Sequence, residues 1–313
     1  MKPKISVVIP AHNRPVFLEN TLKALLEQTE SDFEAIIVGF EGNDTIKKVQ
    51  EKFYDKRLHF FEINSPFPDK KRNFGVKQAK AKIIAFTDDD CLPEKNWLEK
   101  IIAVFEKDNS LAGIEGLTWN NNKELYCHAT ENLSGGKFPA CNYAFRKEWL
   151  EKVRGFDESY NFFREDTDLA FNVMEGGGKI VFCKNVKVFH PPRKLPLHFP
   201  LKELKMVKGD IRLFKKFPGL YKKHFGFLCK GSFKQTAVSA LLLWVIALGV
   251  FLHQTVLAIM AVFALFFLFK YVVEMKGKKF GFLQALSFAF FSFLRDLLFP
   301  VFFLFYWFRI RLE

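Results

Sequence analysis

Paired cysteine motifs are missing from this chain. Its five cysteines, Cys91, Cys127, Cys141, Cys183 and Cys229, are odd in number and widely spaced, with no Cys-x-x-Cys and no Cys/His pairing. That pattern excludes a disulfide framework and a structural zinc site. Internal repeats and low-complexity tracts are absent as well. No apolar leader precedes the first strand-like run: Met1-Lys-Pro-Lys leads straight into Ile5-Ser-Val-Val-Ile9, so the N-terminal domain is expected to stay in the cytoplasm. The N-terminal part also lacks the interleaved basic and aromatic platform of single-strand binders, so the net charge of +13 does not imply nucleic acid. Charge itself is missing from Ala237 to Phe269, and Phe282 to Phe308 holds only Arg295 and Asp296. Such stretches are membrane material.

Three regions follow from these absences: a globular domain over 1–200, a basic amphipathic juxtamembrane linker over 201–234, and membrane-anchoring helices over 235–313. Ten lysines and arginines from Lys202 to Lys234 suit a segment facing anionic lipid, at roughly 1 kcal/mol per charge. The apolar tail breaks at His253-Gln254, which predicts a helical hairpin over about 237–273 whose return, Glu274-Met-Lys-Gly-Lys-Lys279, is cytoplasmic. The third apolar segment, about 282–308, is interrupted by Arg295-Asp296 and by Pro300. It reads either as one long tilted span or as a re-entrant or interfacial helix pair, and its charges favour the pair.

In the globular part, apolar runs alternate with helical patterns: Ile5 to Ile9, Ala35 to Val38, Leu58 to Glu62 and Ile83 to Thr87, with helices near 15–28, 45–53 and 70–79 between them. This alternation predicts an α/β fold with a mostly parallel sheet flanked by helices. Ligands of such sheets bind at the carboxyl ends of the strands. Here those ends carry Pro10-Ala-His-Asn-Arg14, Gly39-Phe-Glu-Gly-Asn43 and Asp88-Asp-Asp90. Three adjacent aspartates repel one another, and a divalent cation carrying a phosphate is the economical partner. A second acidic group, Glu165-Asp166-Thr-Asp168, opens an amphipathic helix. Asp166 there is either an N-terminal cap or a general base.

Taken in order, Val7-Val-Ile-Pro-Ala-His-Asn-Arg14, Arg72-Asn73, Phe86-Thr-Asp-Asp-Asp90, Cys141-Asn-Tyr-Ala-Phe-Arg146, Gly155-Phe-Asp157 and Arg164-Glu-Asp-Thr-Asp-Leu-Ala170 resemble a family-2 inverting glycosyltransferase of the GT-A fold, over about residues 4–192. The resemblance implies a nucleotide-sugar donor bound by Pro10, Ala11, Asn13, Arg14, Arg72 and Asp88. It implies Mg²⁺ or Mn²⁺ on Asp90 and His190, Asp166 as catalytic base, and Glu165, Cys141 and Asn142 on the acceptor or sugar side. Asp89 is expected to be solvated, and Cys91 to be a small packing residue.

Relatives follow the second strand with Asp-Asp-Gly-Ser or similar, whereas this chain has Val38-Gly-Phe-Glu41-Gly-Asn-Asp44. Glu41 then stands where an aspartate reads the nucleotide base, and Phe40 where a ring could stack. The change leaves open a nucleotide other than UDP, or a weakened site. The Gln-x-x-Arg-Trp pattern of processive synthases is absent, so transfer of one sugar is expected. The acceptor reads as a lipid-linked or cell-surface glycan at the inner membrane. Polyprenyl phosphate as direct acceptor, a catalytically idle sugar-nucleotide-binding subunit, and a channel built on the tail are the alternatives.

Overall fold

The computed structural model describes residues 2–121, 127–128, 130–160, 163–229, 233, 237 and 282–311. Beyond residue 237, the hairpin expected over 237–273 lies outside the described residues. Two compact units form, Met1–Asn121 with Ala129–Pro192 and Asn122–His128 with Arg193–Glu313.

The first unit is built on an eight-stranded sheet. Its parallel half contains β1 (Ile5–Pro10), β2 (Phe33–Phe40), β3 (Leu58–Ile63) and β4 (Ile83–Phe86). Both faces of β1 are buried, which is why it is a continuous apolar run rather than an alternating one. Ile5, Val7 and Ile9 enter one core with Leu18, Leu22 and Leu25 of helix α1 (Pro15–Leu26). Val8 faces the opposite way, into a core with Val76 of a later helix and with Phe86 and Phe145. Pro15 opens α1 at a position where its missing N–H would have no partner anyway.

Helix α2 (Thr45–Gln50) follows β2, and α3 (Pro68–Gln78) follows β3. Strands β2 and β3 stack on one side of β1 and β4 on the other. The loops leaving β1 and β4 therefore diverge at the switch point and open a crevice. Past β4 come β5 (Leu92–Pro93), α4 (Trp97–Lys107), β6 (Leu111–Trp119) and, in the second unit, β7 (Cys127–His128). A 3-10 turn at Ala140–Asn142, β8 (Tyr143–Arg146), α5 (Lys147–Lys152), α6 (Glu165–Glu175) and β9 (Lys179–Phe189) complete the first unit. The sheet order is β3-β2-β1-β4-β8-β6-β9-β5, with β8 antiparallel to both β4 and β6. This is the mixed α/β sheet flanked by helices that the sequence predicts.

Asn142 stitches the antiparallel half. Register slips between Gly116 and Leu117 of β6, freeing carbonyls opposite the turn. The Asn142 amide donates to Leu117 O at 2.9 Å and Val186 O at 3.1 Å, while its Oδ1 accepts from Trp97 Nε1 at 2.9 Å. A Cβ on Gly116 would lie 2.4 Å from the Asn142 amide nitrogen, so the approach requires glycine.

The second unit holds β7 paired antiparallel to β10 (Arg193–Lys194), with helices α7 (Phe199–Lys216), α8 (Pro218–Phe225) and α9 (Phe282–Arg309). Helices α7 and α9 run in the same direction. Arg295 Nη1 donates to Glu203 Oε2 at 2.6 Å, and twelve residues further along each helix Lys215 donates to the carbonyls of Trp307 and Ile310. Of the two readings of the third apolar segment, the structure has the single long helix and not the pair its charges favoured: α9 is one helix with Pro300 inside it. The physical reason is the local pairing of its charges. Asp296 Oδ1 accepts from Arg295 at 2.7 Å and Glu203 neutralises the rest, so neither charge has to leave the helix. Pro300 removes one amide donor without ending the apolar run. Leu286–Arg309, at a mean hydropathy of 1.8, is long and apolar enough to cross a membrane by length and composition.

Replacing Asn142 with alanine orphans a buried indole N–H and two carbonyls at once. We expect Asn142→Ala to cost about 2 kcal/mol and to lower Tm by roughly 5 °C. A melting curve in detergent superimposable on that of the parent would show that these bonds do not hold β6 to β9.

Candidate active site

Two carboxylate clusters meet across one guanidinium. Arg72, on α3 and 4% exposed, donates from Nη2 to Asp88 Oδ1 at 2.8 Å and from Nη1 to Glu165 Oε1 at 3.1 Å. Phe156 lies beneath, its ring 5.6 Å from the Arg72 guanidinium carbon, and Phe156 also packs edge-on against Phe86. The neighbouring Asn73 explains the rest of that motif. Its amide donates to Phe156 O at 2.9 Å and its Oδ1 accepts from Phe156 N at 2.8 Å. Gly155, at φ +72°, is needed because a Cβ would fall 2.5 Å from Asn73 Oδ1. Burial alone would lower the pKa of Arg72, but Asp88 and Glu165 more than reverse this, so it stays charged. Burial pushes Asp88 up and Arg72 brings it below the ordinary carboxylate value.

The β1 loop is tied to the same aspartates. Arg14 donates to Asp90 Oδ2 at 2.7 Å and to Asp89, and the His12 backbone N–H donates to Asp89 Oδ2 at 2.6 Å. Asp89 is therefore not solvated as expected. It is fully buried, because the extra turn after Asp88 points its side chain back under the β1 loop, and burial raises its pKa to about 7 against the pull of Arg14. Pro10 and Ala11 are buried, Asn13 is exposed and Arg14 half-buried at the crevice edge. Glu41 is exposed, and the half-buried Phe40 lies with its ring against the backbone of Gly42.

Asp88, Asp90, Cys91 and His190 bring their ligating atoms within 4.8 Å of one another. His190 Nε2 stands 3.9 Å from Asp90 Oδ1, the oxygen that Arg14 does not take, while its Nδ1 lies 3.2 Å from Pro191 O. Two carboxylates and an imidazole fit a hard divalent cation such as Mg²⁺ or Mn²⁺. Cys91 does not add to that donor set: burial raises its thiol well above the usual value, so it remains protonated, in keeping with a packing role.

At the other end of the Arg72 bridge, α6 begins after two left-handed residues, Phe163 (φ 70°) and Arg164 (φ 76°). Glu165 turns inward to Arg72, whereas Asp166 remains partly exposed. Asp166 accepts from its own helix at Thr167 N, 2.7 Å, and from Ala140 N at 3.3 Å. It thus satisfies an amide of the first helical turn and one of the Ala140 turn while staying partly exposed. Burial raises both Asp166 and Glu165, and for Glu165 the adjacent Asp166 charge adds to the rise. Asp168 turns away and accepts from Tyr160 and Asn172. Cys141 and Asn142 lie on the floor, 2% and 0% exposed, with the amide of Asn142 fully engaged by backbone and Trp97.

The sequence reading passed over Lys71, which sits in a Lys70-Lys71-Arg72 run that looks like a solvated helix face. It is 2% exposed, and its Nζ donates to Ala11 O at 2.8 Å, holding the β1 loop from below. No local pattern marks it: the fold buries Lys71 and Arg72 together with Gly75 and Val76 on α3. Burial lowers Lys71 from 10.5 to about 8. Between these values the unfolded chain holds a proton that the folded chain releases, so the stability linked to this group rises with pH from about 8 to 10.5. Lys71→Met should flatten that rise in detergent-based unfolding measurements. Parallel pH profiles for variant and parent would contradict it.

Comparison with known proteins agrees with this geometry. Residues 6–167 match Glycosyl transferase family 2. The chain is 32% identical over 228 residues to Glycosyltransferase AglE of Haloferax volcanii, covering 68% of this chain and 74% of the relative. It is 32% identical over 139 residues to an uncharacterized glycosyltransferase of Rickettsia conorii, covering 44% of this chain but only 23% of that longer protein. Among solved structures, the mannosyltransferase PcManGT of Pyrobaculum calidifontis, in complex with GDP-Man and Mn²⁺, superimposes with a TM-score of 0.62 at 17% identity, over 93% of this chain and 87% of that one. A likeness at that identity carries the fold, which is that of GT-A enzymes, and the match to residues 6–167 carries the family. The chain belongs to glycosyltransferase family 2.

Proposed function

We propose that this protein is a membrane-associated, divalent-metal-dependent inverting glycosyltransferase. It moves one sugar from a nucleotide-sugar donor to a lipid-linked or cell-surface glycan, with its catalytic domain over about residues 1–200 on the cytoplasmic side of the cell membrane. The observation that carries the reading is the Arg72 bridge, which holds a metal-competent aspartate cluster and a carboxylate pair in one crevice. Neither cluster alone would suffice for transfer from a diphosphate: one must stabilise the leaving group, the other must take a proton from the acceptor.

In this reading Asp88, Asp90 and His190 would hold Mg²⁺ or Mn²⁺, which would supply positive charge against a departing nucleoside diphosphate. Arg14 and Arg72 add fixed positive charge beside it. The β1 loop, from Pro10 to Arg14, and Glu41 line the nucleotide. Asp166 removes the proton from the acceptor hydroxyl, and that oxygen attacks the anomeric carbon as the bond to the diphosphate breaks. Glu165 stays clamped on Arg72 and shapes the sugar side with Cys141 and Asn142 beneath. The apolar α9 and the basic α7 favour an acceptor that is itself held in the membrane, a lipid-linked glycan or polyprenyl phosphate.

Nucleoside diphosphate release from a panel of nucleotide sugars, with native lipid and Mg²⁺ or Mn²⁺, tests this directly. Asp166→Asn should lower turnover by at least about a hundredfold while donor affinity stays within about twofold. Transfer near the parent rate would remove Asp166 from its role. Asp90→Ala should abolish the metal dependence of donor binding in calorimetry, and undiminished metal-dependent binding would count against the ligand set. Because burial raises Asp166, the acid limb of the kcat/KM profile should lie above 3.8, with activity lost as pH falls through it. A limb at or below that value would place the base in a more exposed site.

A further inference from the structure

Glu115, on β6, is a buried carboxylate that the reaction as described leaves unused. It is 4% exposed, and its partner on β8 is Tyr143, which shares a core with Leu169 and Val173 of α6. Cross-strand partners point to the same face of a sheet, so Glu115 stands on the α6 side. There it takes three donors from one loop. Oε1 accepts from Gly136 N at 2.5 Å, and Oε2 accepts from Phe138 N at 3.1 Å and from Asn132 Nδ2 at 3.0 Å.

The loop so gripped leads to the candidate base. It starts against β6, where Asn132 pairs with Thr118, and passes through left-handed Gly135, Gly136 and Phe138, at φ 82°, 84° and 53°. Phe138 carries a side chain, and a residue with a Cβ stays in that region only where its surroundings hold it. Glu115 takes its N–H, and its ring packs edge-on against Phe171 of α6 with centroids 5.9 Å apart. Two residues further on, the Ala140 N–H donates to Asp166 Oδ2 at 3.3 Å. A bond of that length is lost on a small displacement of the segment.

We propose that Glu115 is a positioning residue for sugar transfer, holding the segment from Gly136 to Ala140 so that the Ala140 amide orients the Asp166 carboxylate. The inference rests on Asp166 being the base. The Ala140 N–H also favours the ionised form of Asp166 against its burial. The other charged and titratable groups around Asp166 are Arg72 of α3, Arg164 and Glu165 at the start of α6, and Tyr143 of β8. The Glu115 side chain bonds none of them among the described residues.

The test compares the full-length parent in detergent with Glu115→Gln, which keeps the shape but turns one acceptor into a donor facing the loop amides. Hydrogen exchange comes first, because it does not depend on the reaction. In the parent, the Gly136 and Phe138 amides should exchange at least about tenfold more slowly than that of the exposed Lys137, and the variant should lose this protection. Equal exchange in the two proteins would overturn the grip. In transfer assays kcat should fall about tenfold with donor KM within about twofold. The acid limb of kcat/KM should move to higher pH, since loss of the Ala140 bond leaves burial less opposed. A merely destabilised fold lowers kcat through the folded fraction without moving the limb, so a limb that stays in place would overturn the positioning role. Should Glu115→Gln not fold, Glu115→Asp keeps a carboxylate but withdraws it from the loop by one methylene, and takes its place with the same readouts. Full transfer by Asp166→Asn would sink the base and this role together. Loss of transfer in Asp166→Asn beside an unmoved limb in Glu115→Gln would sink this role alone.

Discussion

Arg72 is a buried cation whose burial is tolerable only because two carboxylates from distant parts of the chain come to it. Desolvating a guanidinium costs several kcal/mol, and Asp88 and Glu165 repay this with hydrogen bonds to separate amino groups. Remove either acid and the charge is left half-paired; remove the arginine and the buried Glu165 and half-buried Asp88 lose the cation between them. The end of β4 and the start of α6 are thereby held at fixed separation, 77 residues apart in sequence. The Phe156 ring under the guanidinium and the Asn73 clasp on the Gly155 loop keep the cation from swinging toward water. Everything the crevice does chemically depends on that one junction staying closed.

Asp89 and Lys71 form a quieter support on the β1 side. Asp89 takes the His12 N–H and Arg14, and Lys71 takes the Ala11 carbonyl, so the loop is gripped by backbone contacts on both sides. This is the division of labour expected where a rigid sheet end presents a binding loop. Asp88, Asp89 and Asp90 consequently do three different things although they are adjacent: one meets Arg72, one turns under the β1 loop, and one turns toward His190.

The parallel half of the sheet was legible because its strands are buried on both faces and separated by amphipathic helices, a pattern with few alternatives. The Asp88, Asp90 and Asp166 positions were legible for a related reason: carboxylates at strand and helix ends are conspicuous against apolar flanks. Lys71 and Asp89 were not, since burial of a charged residue is decided by tertiary contacts that a local pattern does not contain. The single course of α9 through Arg295, Asp296 and Pro300 was one of two readings, and the sequence could not decide for it because the partner that neutralises Arg295 is Glu203, 92 residues away. The change from an aspartate-rich loop to Gly39–Asp44 was visible, and the structure adds that Phe40 rests on Gly42 there.

The entry to α6 shows how strain and chemistry are joined. Two consecutive non-glycine residues in the left-handed region cost about 1–2 kcal/mol each, and a helix can begin without them. What they alter is the phase at which the helix starts. Successive residues on a helix point about 100° apart, so fixing Glu165 inward on Arg72 fixes Asp166 at the crevice and sends Asp168 back to Tyr160. A start one residue earlier would rotate each acid into the place of its neighbour. It would bury the candidate base and expose the clamp, so the distorted backbone at Phe163 and Arg164 is the feature that lets adjacent carboxylates take different roles.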